Sequence, residues 1–454
     1  VFVTDQPLLL TDAQVQHFLQ HGYLTLRTQL PAEFHQEIYR RTEEVFAKEG
    51  NPGNNVLPRI PQLHQVFADP VLDGALASLL GPSYIMHSHR HCHINPAHGK
   101  GGGWHKDSYW GFHKVRSHRT RWAMIFYYPQ DTALDNGPTA VMPGTQCREQ
   151  RAASEAEEVH LPVCGEAGTA TLVHFDLWHR ATPNQTAHNR YMMKFQFTRM
   201  EEPAAPCWNH RNPEWRDGAV ATQLWQWHLG RRATAEAVDQ DTPALARALC
   251  DGSEPVRLNA AYALGAAGSP GVPALIDALR HQGKEVQLDA AYGLALAGRA
   301  AVPALIDALN HADEQARGCA AFALGDMGGQ AGEAVEPLAR LGADPSPFVR
   351  RHAAEALGTI AGRPEAAVPA LVELLGDEDA QTRFNAAYAL ARFGPRAEAA
   401  VPALARALED DNRYVRNHSA EALRHIGTPA AQEALMDFLL VSRWCPLTTK
   451  ESTF

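Results

Sequence analysis

The chain has 454 residues, more than one ordinary hydrophobic core serves, so at least two domains are expected. Its 45% hydrophobic and 20% charged residues are ordinary for a globular protein, and no apolar run reaches the ~18 residues of a membrane span. The net charge of −10 is uneven: residues 1–230 carry 20 Lys/Arg against 22 Asp/Glu, residues 231–454 carry 21 against 29. Neither half has the basic excess of a nucleic-acid binder.

From the N-terminus, Thr11 and Asp12 are placed to cap an amphipathic helix that buries Val15, Phe18 and Leu19. Short apolar stretches at 23–26, 84–94, 122–128, 169–174 and 191–197 follow, separated by Gly, Pro and Asn. Many short strands between turn signals imply a β-sandwich or jelly roll for residues 1–230. Within 84–94, His87, His89, His91 and His93 alternate, so a regular strand places all four on one face. A polar strand lining a cavity or facing solvent explains them better than a second metal cluster, whose ligands normally come from separate elements.

Residues 201–235, rich in Trp and Pro, read as a junction. Beyond it the phrase Ala-Ala-x-Ala-Leu recurs, with Gly293 and Ser419 standing for an Ala in two copies, its Leu falling at Leu264, Leu294, Leu324, Leu357, Leu390 and Leu423. Seven positions before each lies Arg257, Gln287, Arg317, Arg350, Arg383 or Arg416. A second phrase, Val-Pro-Ala-Leu, starts at Val272, Val302, Val368 and Val401. Each unit reads as two helices, with Pro in the first turn of one and Gly265, Gly325 or Gly358 at the end of the other. One such pair cannot bury its apolar stripe alone, so residues 231–440 are expected to stack as an α-solenoid, with 441–454 as a tail.

The seven cysteines are scattered without a C-x-x-C pair, and Val1–Asp5 has neither the basic region nor the apolar core of a secretory signal. A reducing, cytoplasmic setting is the expectation.

The chemistry concentrates in Gly101-Gly-Gly-Trp104-His105-Lys-Asp107. On an extended segment, residues two apart point the same way, so His105 and Asp107 can bind one ion side by side. His179 supplies a second imidazole 74 positions on. Two His and one carboxylate on one face of Fe(II) leave the opposite face open.

The surrounding text resembles the phytanoyl-CoA dioxygenase family, which includes ectoine hydroxylase, from Thr11 to about Thr198. The resemblance runs through Phe18-Leu-Gln-His-Gly22, His105-x-Asp107, Asp135-Asn-Gly-Pro138, Pro143-Gly-Thr145 and His179-Arg-Ala-x-Pro-Asn184 to Arg190. It implies a double-stranded β-helix (jelly roll) with flanking helices and an Fe(II)- and 2-oxoglutarate-dependent oxygenase. Such an enzyme uses O2 to hydroxylate a small-molecule or carrier-bound metabolite while forming succinate and CO2. It further implies that Arg190 anchors the distal carboxylate of 2-oxoglutarate, with Asn95 assisting and Thr182 substituting for the family's hydroxyl at the position of Ala181. Related halogenases replace the carboxylate ligand with a small residue, so Asp107 favours hydroxylation; desaturation and ring formation remain open. Trp104, Tyr109, Trp110 and Trp178 flank the ligands and are candidate substrate-pocket walls. The loosely basic stretch Lys100, Lys106, Lys114, Arg116, Arg119 and Arg121 is a solvated loop or a receptor for an anionic substrate.

The repeats resemble HEAT-type repeats, which implies a structural or protein-binding platform. A peptide or protein recruited by it is the rival substrate class, and a scaffold with a relic oxygenase domain the other alternative. Deoxyhypusine hydroxylase binds iron on similar repeats through His-Glu pairs. Here His352 and His418 are followed by Ala353 and Ser419, so the adjacent pairs are absent, and Glu355 and Glu421, three residues on at a helical neighbour spacing, are the alternative partners.

Overall fold

The computed structural model describes residues 6–107, 115–151, 159–212, 214–231, 241–280 and 283–441. Its contacts divide the described chain into two compact units, 6–107 with 118–215, and 115–117 with 216–441. The division therefore falls at 215/216 rather than 230/231. The helix Gly218–His228 packs on the helix Glu254–Ala266 of the second unit, burying Leu224 and Trp225. Among the described residues, no helix is long and apolar enough to cross a membrane.

The first unit opens with the expected helix, Asp12–His21, closed by a reciprocal capping box between Thr11 and Gln14. Eight strands follow: β1 (Tyr23–Arg27), β2 (Ile85–Asn95), β3 (Trp122–Tyr127), β4 (Thr139–Val141), β5 (Leu161–Pro162), β6 (Thr169–His174), β7 (His179–Ala181) and β8 (Arg190–Thr198). They form two antiparallel sheets, β1-β6-β3-β8-β2 and β5-β4-β7, the layers of a jelly roll. The three-stranded sheet escapes the apolar pattern because its strands are only two or three residues long.

In β2 the register shifts between Met86 and Arg90, so the four alternating histidines do not share one regular face. His87 and His89 fall in the irregular stretch, where the His89 N–H donates to Nδ1 of His87 at 3.0 Å. Past the shift, His91, His93 and Asn95 stand opposite Lys194, Met192 and Arg190 of β8. Directly paired residues share a face, so these six side chains lie on one side of the sheet.

The second unit is the solenoid. Successive second helices, Glu254–Ala266, Lys284–Ala297, Glu314–Asp326, Pro347–Ile360, Ala380–Phe393 and Arg413–Ile426, stack on one another. The recurring arginine explains itself as a ladder. Arg257 pairs with Asp289, Arg317 with Asp344, Arg350 with Asp377 and Arg383 with Asp410, each at 2.7–2.8 Å. Each also donates to backbone carbonyls of the turn before its own helix, so one side chain fastens a turn and the next repeat. Gly358 is not a helix end: it lies inside Pro347–Ile360, where a Cβ would meet the Ala389 Cβ at 2.5 Å. Its missing side chain serves close helix approach. The left-handed stop comes later in a repeat, as at Gly427, whose φ is 66°.

Removing one partner of a buried pair leaves a buried charge uncompensated. Arg350→Ala should therefore lower stability by about 3–5 kcal/mol in urea unfolding. Arg280→Ala, on the exposed pair with Asp307, should stay within about 0.5 kcal/mol. Equal effects would show that the ladder carries no special share of the stability.

Candidate metal centre

His105 and His179 come together through the backbone. Each N–H donates to the other's carbonyl at 3.0 Å, an isolated antiparallel bridge that extends the edge at β7. Gly102 N–H adds a bond to Ala181 O at 2.9 Å. The approach requires Gly101, whose φ is 75° and whose Cβ would lie 2.6 Å from that same carbonyl. Paired residues share a face, so the two imidazole centroids stand 4.3 Å apart. Asp107, two residues on, joins them: Oδ1 lies 3.8 Å from Nε2 of His105 and Oδ2 lies 3.6 Å from Nε2 of His179.

Both imidazoles are prepared for an ion. His105 Nδ1 is 3.0 Å from Gly103 O and His179 Nδ1 is 2.9 Å from Leu177 O. An Nδ1–H donated to a carbonyl leaves the lone pair on Nε2, the tautomer a metal requires. The donor atoms of His105, Asp107 and His179 lie within 4.8 Å of one another, the only such group of three found among the described residues. Asp107 and His179 are buried, whereas His105 is half exposed. Burial alone raises the Asp107 pKa, but Lys194, then His179, hold it well below the ordinary carboxylate range. Burial pushes His179 down to about 4, partly opposed by Asp107. A carboxylate and two imidazoles suit a divalent cation of borderline hardness such as Fe(II).

Arg190 sits at the start of β8, 1% exposed. Its Nε–H donates to Gly137 O at 2.9 Å, while its Nη1 is buried with no hydrogen-bond partner. Gly137, at φ 68°, is pressed against Asn95 and Asn184, and Asn184 clamps the loops by donating to Asn95 O, Pro96 O and His188 O. The Asn-Gly-Pro turn is thus the cradle of the guanidinium. A buried cation with an open donor fits a carboxylate brought by a ligand.

Asn95 and Thr182 are placed differently from expectation. Asn95 Nδ2 donates to Gly137 O and Thr182 O, and the Thr182 hydroxyl donates to Pro138 O. Neither keeps a side-chain donor for a carboxylate, and both brace the Arg190 cradle instead. Trp104 lies under the Arg180 guanidinium at 4.8 Å, and Trp178 carries the Lys106 ammonium at 5.6 Å. Both rings are partly exposed beside the ligands. Tyr109 and Trp110 lie outside the described residues, as does Lys114. In the basic stretch, Lys106 donates to Thr145 O and Arg148 O, and Arg121 grips Glu202 with two bonds of 2.9 Å, so these two cations already have partners. In the solenoid, His352 Nε2 accepts from Val115 N–H at 3.2 Å.

Lys194 was not singled out by the sequence reading. Its ammonium donates to Oδ2 of Asp107 at 2.6 Å, and its side chain is 3% exposed. The available signal was a lone cation within Tyr-Met-Met-Lys-Phe-Gln-Phe, an otherwise almost apolar strand that must pair what it buries.

These features agree with the comparisons. Residues 18–192 match the phytanoyl-CoA dioxygenase (PhyH) family. This segment is a PhyH domain. HEAT repeats match at 272–345, 302–391 and 368–444, and a PBS lyase HEAT-like repeat at 256–281. The chain matches no curated protein. Among solved structures it is similar to the apo non-haem monooxygenase ThoJ, with 19% identity and a TM-score of 0.36 over 43% of this chain and 84% of that one. It is also similar to EctD from S. alaskensis with 2-oxoglutarate and 5-hydroxyectoine (19%, TM-score 0.37, 44% and 79%). A third is the non-haem α-ketoglutarate-dependent carbocyclase SnoK from nogalamycin biosynthesis (17%, TM-score 0.35, 43% and 88%). The PhyH match and the triad together support a dioxygenase for the N-terminal unit, with three side chains able to hold a metal ion.

The PhyH domain also buries His174, whose pKa burial pushes down to about 4. With folded values near 4 and an unfolded value of about 6.5, the unfolded chain binds more protons between them. The stability held by neutral His174 and His179 is thus complete above about pH 6.5 and lost as pH falls toward 4. In chelator-treated protein the melting temperature should decline across that window, and the NMR shifts of both imidazoles should stay constant from pH 8 to 5. Titration of either near 6.5 would contradict the burial argument.

Proposed function

We propose that the PhyH domain is an Fe(II)- and 2-oxoglutarate-dependent dioxygenase that hydroxylates an unactivated C–H bond of a small-molecule or carrier-bound metabolite. The observation that carries this reading is the Arg190 guanidinium, buried with an open Nη1 in the same unit as the His105–Asp107–His179 triad. An oxygenase needing no anionic cosubstrate has no use for a buried cation of this kind, because its burial without a counter-ion is unfavourable.

His105 and His179 would hold the iron through Nε2, their rings fixed by the carbonyls of Gly103 and Leu177. Asp107 would supply the anionic ligand. When bound, the iron supplies oxygen activation coupled to decarboxylation of the 2-oxo acid to succinate and CO2. Arg190 would pair with the far carboxylate, and its bond to Gly137 O fixes the plane of the fork, which is what bidentate recognition needs. Retention of Asp107 supports hydroxylation over halogenation. The HEAT unit is proposed as a protein-binding or structural platform.

The test is anaerobic titration with Fe(II), then 2-oxoglutarate, followed through the visible charge-transfer absorption of the iron–2-oxo-acid chelate. Wild-type protein should develop the band. Arg190→Ala should still bind Fe(II) but lose about a hundredfold or more in 2-oxoglutarate affinity, as expected when one partner of a buried charged pair is removed. Absence of the band in wild type, or an unchanged affinity in the variant, would overturn the cosubstrate assignment.

A further inference from the structure

Lys194 lies on β8 four residues after Arg190 and shares its face. Its flanking neighbours on that face are His91 of β2 and Phe126 of β3, directly opposite in the two registers. Phe126 offers no acceptor, and no carboxylate is on either neighbour. Among the described residues, its hydrogen-bond partner is Asp107 Oδ2, at 2.6 Å. An ammonium buried without a partner costs several kcal/mol, so its presence beside a metal ligand needs a reason.

The reason follows from counting positions. A carboxylate can bind a metal through one oxygen or both. In a six-coordinate ion, two imidazoles and a one-oxygen carboxylate leave three positions, enough for a chelating 2-oxo acid and O2. A two-oxygen carboxylate leaves only two, and the 2-oxo acid fills them. A charge-assisted hydrogen bond on Oδ2 disfavours the second mode, because the ammonium and a dication would compete for the same oxygen.

We propose that Lys194 is a positioning residue of the metal centre, holding Oδ2 of Asp107 so that the carboxylate binds the ion through Oδ1 alone and the position for O2 stays open. This rests on the metal-centre reading above and adds a residue to it. Lys194 acts through Asp107, to which its ammonium donates.

The experiment loads the full-length protein with Mn(II) alone and measures water-proton relaxation, which counts waters on the ion, before and after 2-oxoglutarate. Wild type should hold three waters and keep one after 2-oxoglutarate. Lys194→Met should show a signal about a third lower at the start and almost none after 2-oxoglutarate, from the same count of positions. Lys194→Arg, which keeps a cationic donor, should restore the wild-type values. If Lys194→Met does not fold, Lys194→Gln takes its place, its neutral donor giving intermediate values. A role in folding alone would lower the melting temperature and leave the relaxation untouched, and that result would overturn the proposal. Failure of wild type to bind Mn(II) would instead sink the metal centre itself, whereas wild-type binding with identical variants would remove only Lys194.

Discussion

Two backbone hydrogen bonds between His105 and His179 are the constraint on which the site depends. They join positions 74 apart in sequence and, by pairing them directly, make their side chains neighbours rather than leaving that to the loops. Everything else follows by strand periodicity. Asp107 falls beside them because it is two residues from His105, and the adjoining turn can come so close only because Gly101 has no side chain. The carbonyls of Gly103 and Leu177 come from the same two segments, so the contact that assembles the ligands also selects their tautomers. Rotating either ring away would break a bond to its own backbone.

The two cations of β8 show how burial assigns roles. Arg190 and Lys194 share a strand and a face, and both are almost wholly enclosed. Lys194 has a carboxylate partner within the chain; among the described residues Arg190 has a carbonyl on Nε, the Tyr128 ring at 5.9 Å and an Nη1 without an acceptor. A buried ion completed internally is part of the framework, and one left incomplete implies a ligand that completes it. Burial also lowers the Arg190 pKa from the ordinary arginine value, which measures the same deficit.

How much of this was legible in the sequence depended on whether the signal was local. The solenoid was readable because each repeat restates the same demands, and the arginine ladder shows why its basic residue keeps step: the partner aspartate recurs one repeat later. The His105–Asp107–His179 group could be picked out because metal binding requires particular residue types at particular spacings, and the structure brings the three together. The glycines of the repeats were misplaced because a glycine for close approach and a glycine for a helix end look alike until the neighbouring helix is known. The regular alternation of four histidines in β2 concealed a register shift, which depends on β8 rather than on β2 itself.

Asn95 and Thr182 show a limit of a different kind. Residue type says that each can donate a hydrogen bond, but a carboxylate needs a donor that is still available. The Asn95 amide is taken by Gly137 O and Thr182 O, and the Thr182 hydroxyl by Pro138 O. Those bonds hold the turn whose Gly137 carbonyl orients Arg190, so both residues brace the guanidinium one step removed from it. A polar side chain near a buried charge is as often a strut for the group that binds as a binder itself, and the two are separated only by following each proton to its acceptor. Followed in that way, Arg190 keeps a buried Nη1 with no acceptor among the described residues, which is why the reading of the site turns on that atom.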